Sequence, residues 1–125
     1  MDVDRDDVVA EVASAFATYE KALVDGDVDA MTEAFWSDGR VVRYGLADRQ
    51  YGADELRSWR EAQPPLPPGR HLTDTRITAF GCDVAVVTTL FTYPDSTVEG
   101  RQSQTWVRVD GAWRIVSAHV SGVGG

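Results

Sequence analysis

Asp110-Gly111 lies between two long runs rich in β-branched and aromatic residues, which makes it the strongest two-residue hairpin signal in the chain. With Asp110-Gly111 as the turn, Val109 pairs with Ala112. Counting back pairs Trp106 with Ile115, Gln104 with Ser117, and Gln102 with His119. Paired residues share a face. One face then carries Trp106, Trp113 and Ile115 at one end, and Gln102, Gln104, Ser117 and His119 at the other. The opposite face carries Ser103, Thr105, Val107, Val116, Ala118 and Val120, a surface suited to packing against a second subunit. An apolar floor merging into a polar cluster is the usual form of a small-molecule pocket. A one-residue bulge would swap the faces beyond it.

The rest of the chain sets what this hairpin packs against. Val8, Val9, Val12, Phe16, Tyr19 and Leu23 recur at three- and four-residue steps, one face of a helix that starts at Asp6-Asp7 and ends at Asp25-Gly26. Asp27 caps a second short helix through Phe35. Gly39 to Tyr44 reads as a strand, Gln50-Tyr51 as its short partner, and Ala53 to Gln63 as a third helix stopped by Pro64. Beyond Pro64-Pro65-Leu66-Pro67-Pro68-Gly69, strands are expected over His71–Phe80, Asp83–Tyr93, Gly100–Val109 and Trp113–Ser121. Helices followed by a meander of long strands give an α+β fold, with the sheet curling around the first helix. The 125 residues are read as a single domain, 1–125, large enough for one core.

Charge and cysteine usage exclude several functions. The formal net charge is -8, which disfavours nucleic acid and anionic membrane surfaces. It also repels an anionic ligand, so local arginines must overcome that field. The first residues, MDVDRDDVVA, lack the basic start and apolar stretch of a secretory leader, and no apolar run approaches the roughly 18 residues of a membrane span. With a single cysteine, Cys82, in a turn beside Asp83, a reducing, cytoplasmic location is expected. Two histidines without HxH or HxxxH spacing argue against a zinc site, and no phosphate loop or dinucleotide fingerprint occurs. No cofactor is expected.

Several residues carry candidate chemistry. Arg43 follows Val41-Val42 in an apolar strand. Its guanidinium suits either a ligand carboxylate, held by two parallel hydrogen bonds, or an ion pair with an acid from the first two helices. Tyr19 lies on the buried stripe of the first helix, where its hydroxyl either polarises a ligand carbonyl or satisfies a backbone group. Gln102 and Gln104 match a urea, which both donates and accepts, or form a cross-strand amide network. His119 suits a general base or a structural hydrogen bond. Trp36 and Trp59 are candidate pocket walls, though aromatic residues in such places are more often core. No serine has the strand-to-helix elbow of a nucleophile, and no paired-carboxylate site can be picked out.

The segments ATYEKALVDGDVDAM, FWSDGRVVRYG, YGADELRSWR and GRQSQTWVR, with the closing WRIVSAHVSG, resemble the AtzH/HpxZ-like family of the SnoaL-like, nuclear-transport-factor-2-like superfamily. The resemblance covers about Val8 to Ser121. It implies a cone-shaped, cystatin-like fold, with N-terminal helices on a curved, mixed, mostly antiparallel sheet. It also implies a homodimer and activity on small carboxylated ureas such as 1,3-dicarboxyurea or oxalurate, in cyanuric acid or oxalurate catabolism. The family's functional tyrosine and arginine match Tyr19 and Arg43. The function expected is therefore cofactor-independent hydrolysis of a small carboxylated urea or related amide. The alternatives are a non-catalytic binding or accessory subunit of an amidase pathway, and an acid–base isomerase or cyclase.

Overall fold

The structure, a computed structural model, describes residues 1–124. Helix α1 (Asp6–Asp25) buries Val8, Val12, Phe16, Tyr19 and Glu20 along the expected stripe and ends at Gly26. Gly26 takes φ 68°, and its N–H reaches back to the carbonyls of Ala22 and Leu23, the glycine stop that a left-handed residue provides. Helix α2 (Val28–Ala34) starts at Asp27, whose carboxylate accepts from the Ala30 N–H at 3.0 Å. Helix α3 (Ala53–Glu61) buries Leu56 and Arg60.

The strands are β1 (Val42–Tyr44), β2 (Arg49–Tyr51), β3 (His71–Phe80), β4 (Val84–Thr92), β5 (Glu99–Val109) and β6 (Ala112–Val123). They form one sheet in the order β2-β1-β6-β5-β4-β3. Only β1 and β6 run parallel; every other pairing is antiparallel. The fold is thus the expected α+β one, with N-terminal helices on a mixed, mostly antiparallel sheet. Two register shifts bend it, one in β3 between Thr73 and Arg76 and one in β6 opposite Thr105/Trp106. Bulges of this kind curl a sheet. The core between helices and sheet holds Phe16, Tyr19, Phe35, Val87, Trp106 and Ile115. Among the described residues, no helix is long and apolar enough to cross a membrane.

The hairpin begins as the turn predicts: Val109 pairs with Ala112 and Trp106 with Ile115. Val116 is then left without a partner, because the next pair is Thr105 with Ser117. From there Gln104 pairs with Ala118, Ser103 with His119 and Gln102 with Val120. The period of two resumes one residue late, so Ala118 and Val120 face inward with the glutamines. Ser117 and His119 are turned outward. His119 is exposed and packs edge-on against Tyr44, ring centroids 5.9 Å apart.

Candidate active site

A cavity of about 290 Å³ lies between α1, α3, the inner face of the sheet and the proline run. Tyr19 reaches it from α1, Arg43 from β1, Asp48 from the β1–β2 turn, Trp59 and Arg60 from α3, and Gln102 and Gln104 from β5. Leu66 and Pro67 roof it, and a second hollow of about 360 Å³ continues beneath the same prolines, again walled by Arg43, Trp59 and Arg60. The structure therefore brings Tyr19, Arg43, Gln102 and Gln104 to one cavity.

His119 and Trp36 do not join them. His119 is carried to the outer face by the bulge at Val116. Phe35, bridged to Ile115, turns into the core, and the extended chain there sends the next side chain the other way. Trp36 instead packs under Arg40, whose Cζ lies 4.7 Å from its ring centroid. Of the two tryptophans it is Trp59 that walls the cavity, together with Phe91 and Tyr93.

Arg43 is buried, and its Nη1 donates to Asp48 Oδ1 at 2.8 Å and to Gln50 Oε1 at 3.0 Å. Gln50 Nε2 donates to the same Asp48 oxygen at 2.9 Å. Arg43 thus lines the cavity and forms an ion pair, with an acid of the β1–β2 turn rather than of either of the first two helices. Its Nε and Nη2 have no protein partner among the described residues. Burial lowers the Arg43 pKa from its ordinary value, and the neighbouring Arg60 charge lowers it further; Tyr19 and Asp48 act in the opposite sense. The guanidinium also stacks on Trp59, 4.4 Å from the ring centroid.

Tyr19 is 3% exposed, and its hydroxyl oxygen accepts from Arg60 Nη2 at 2.5 Å. The phenolic hydrogen has no acceptor among the described residues, so the hydroxyl keeps a donor to give.

The sequence reading overlooked five residues, Arg60 among them. Asp48 is a carboxylate in the cavity wall, and its Oδ2 accepts nothing from the described residues. Gln50 is 2% exposed and braces the pair. Arg70 and Glu20 form a buried ion pair, Nε to Oε1 at 2.9 Å. Gln102 ties into it, donating to Glu20 Oε2 at 3.1 Å and accepting from Arg70 Nη2 at 3.2 Å. Burial opposes the Arg70 charge, but hydrogen bonds and charge from Glu20, with help from Tyr93, outweigh it and raise the pKa above its ordinary value. Gln104 accepts from the Trp106 indole N–H at 3.0 Å. The glutamines thus sit on the cavity wall in two separate sets of hydrogen bonds, Gln102 with the Arg70–Glu20 pair and Gln104 with Trp106. Among the described residues, no group of three or more His, Cys, Asp or Glu is placed to hold a metal ion.

Arg70 also lies 4.2 Å above the centre of the Phe91 ring, and Phe91 covers Gly100 on the paired strand. A methyl at Gly100 would fall inside that ring. Gly100→Ala is expected to lose about 1–3 kcal/mol by overpacking, measurable as a lower urea midpoint with an unchanged slope.

Likeness to known proteins follows the whole chain. A protein with unknown function from Pectobacterium atrosepticum SCRI1043 is 48% identical with a TM-score of 0.95, over 98% of this chain and 96% of that one. A cystatin-like fold protein from Burkholderia xenovorans LB400 is 45% identical with a TM-score of 0.96, over 100% and 98%. An NTF2-like protein of unknown function from Pseudomonas putida KT2440 shares the fold at 16% identity, with a TM-score of 0.79 over 94% and 87%. No curated protein matches. The family model that does match is described as AtzH-like and spans residues 1–124, and the chain belongs to that family.

Proposed function

We propose that the protein hydrolyses a small carboxylated urea or a related amide without a cofactor. The observation that carries this reading is the grouping, in one cavity of a chain with net charge -8, of cationic Arg43 and Arg60, the Tyr19 hydroxyl and the Asp48 carboxylate. Arg43 offers Nε and Nη2 to a substrate carboxylate. Tyr19 donates to the oxygen of the scissile carbonyl, where negative charge develops. Asp48 Oδ2 orients a water and takes its proton as oxygen attacks the carbonyl carbon; the carbon–nitrogen bond then breaks and the nitrogen leaves with a proton. Gln102 and Gln104 form the wall against which the amide lies.

The test is product release by the pure protein from freshly generated 1,3-dicarboxyurea and, separately, from oxalurate, with bicarbonate, urea and ammonia all measured, because which of them forms depends on which carbon–nitrogen bond breaks. Release above the no-enzyme rate, reduced in Asp48→Asn by about 100-fold or more, is the expected result. No release from either substrate by the folded protein overturns the reading and favours a binding or accessory role.

Gly45 supplies a finer check. A Cβ there would sit 2.5 Å from Asp48 Oδ1 and 2.6 Å from Oδ2. The contact is with the tip of a side chain, which can swing away. Gly45→Ala is therefore expected to cost about 1–3 kcal/mol, not for want of space but because it moves Asp48 off buried Arg43. Turnover of the folded variant should fall at least tenfold. Wild-type turnover in this variant would remove Asp48 from the mechanism.

The same Asp48 favours a second reading. A carboxylate and a tyrosine donor in one cavity also suit proton abstraction beside a carbonyl, as in an isomerase or cyclase. Solvent deuterium entering a recovered ketone substrate, without hydrolysis of the ureas, would select it.

A further inference from the structure

The cavity-lining arginines are not equivalent. Arg43 has Asp48 at 2.8 Å, and Arg70 has Glu20 at 2.9 Å. Arg60 is 8% exposed and has no carboxylate within salt-bridge distance among the described residues. Its protein partners are the Tyr19 hydroxyl and the thioether of Met31, the latter at 3.2 Å and a weak acceptor. Its Nε is buried with no partner at all. Around it stand the rings of Tyr19, Phe35 and Trp59, each with its centroid 5.7 or 5.8 Å from Cζ. Aromatic faces soften the cost of a buried cation but do not neutralise it.

Position 60 is one turn after buried Leu56 on α3. Packing alone would be served there by an unbranched apolar side chain. A buried charge without a counter-ion costs folding stability, and it also repels Arg43, with which it shares the Trp59 ring. Arg60 walls both the cavity and the hollow beneath the prolines, so its missing counter-ion has a place to bind.

We propose that Arg60 is held uncompensated to receive the carboxylate of a small anionic ligand, which accepts from its free Nη hydrogens beside the Tyr19 hydroxyl. The inference rests on the reading of this cavity as a site for a carboxylated substrate and adds the residue that selects for charge. Arg43, whose charge Asp48 already matches, gives its fork of donors to the same carboxylate; Arg60, over the same Trp59 ring, supplies the unbalanced positive charge that a net-acidic protein needs to hold an anion.

The experiment is calorimetric titration of the full chain with sodium malonate at constant ionic strength, with neutral malonamide as control. It is run on wild type, Arg60→Met and Arg60→Lys, with thermal midpoints of each unliganded protein. Wild type should bind malonate in preference to malonamide. Arg60→Met should weaken malonate binding about tenfold or more, with an unliganded midpoint equal to or above wild type, because an unpaired buried charge has been removed. Arg60→Lys should retain most of the binding. Three results overturn the proposal: no malonate binding by wild type, wild-type affinity in Arg60→Met, or a large fall in the Arg60→Met midpoint, which would make the arginine structural. Malonate binding through Arg60 without hydrolysis of either urea would sink hydrolysis alone. Hydrolysis with full malonate affinity in Arg60→Met would sink this inference alone.

Discussion

Glu20→Gln is expected to destabilise the fold by about 3–5 kcal/mol, the cost of stripping one partner from a buried ion pair. The side chains of Arg70 and Glu20 are 5% and 11% exposed, so water cannot replace the lost charge. Glutamine keeps the shape, but its amide nitrogen brings donors to a place where Arg70 and Gln102 already donate. The cavity wall should loosen with it, because Gln102, Tyr93 and Phe91 all lean on the same guanidinium. Urea unfolding measures the loss. The double variant Glu20→Gln, Arg70→Met should recover much of it, since no charge is then left buried without a partner. A loss below about 1 kcal/mol in the single variant would mean that the pair is solvated in solution.

Arg43→Met should lower kcat/KM on the carboxylated substrate by about 100- to 1,000-fold, equivalent to about 3–4 kcal/mol of transition-state stabilisation. Two losses combine. The substrate carboxylate loses its fork, and Asp48 loses the cation that fixes its orientation. Because both act through one ion pair, Arg43→Met and Asp48→Asn should not be additive; the double variant should be little worse than the poorer single one. Arg43→Lys keeps the charge but not the planar pair of donors and should recover only part of the rate. Steady-state kinetics on the four proteins decides it. Full turnover in Arg43→Met would remove this residue from the site.

The sequence was informative where local chemistry decides structure. Asp27 was legible as a cap, Gly26 as a stop, and the stripe through Phe16 and Tyr19 as the buried face of α1, because each depends on neighbours within one turn. The register of the β5–β6 hairpin was legible as far as Trp106 and Ile115, where the turn dictates it. Beyond that point Val116 is as good a strand residue as any other, and nothing local marks it as the one without a partner. The inward glutamines could be read because β5 keeps its period throughout; His119 could not, because it lies past the slip. Arg60, Arg70 and Asp48 were missed for another reason. Their companions Tyr19, Glu20 and Arg43 come from different elements, and Arg60 and Tyr19 stand 41 positions apart. A charged residue on a helix normally faces water. One clue was present: Arg60 follows Leu56 by four, on the buried side of α3.

The unpaired Val116 also bears on how such a site can change. Removing that single residue would give an uninterrupted ladder without changing the wall, because Ser117 already lies opposite Thr105 and Ala118 opposite Gln104. Keeping Val116 and pairing it with Thr105 has the opposite effect: Ser117, His119 and Ser121 would turn to the chamber in place of Ala118 and Val120. The extra residue is thus what holds the imidazole outside. One step of strand slippage separates a smooth wall from a proton-transferring one on the same amino-acid sequence.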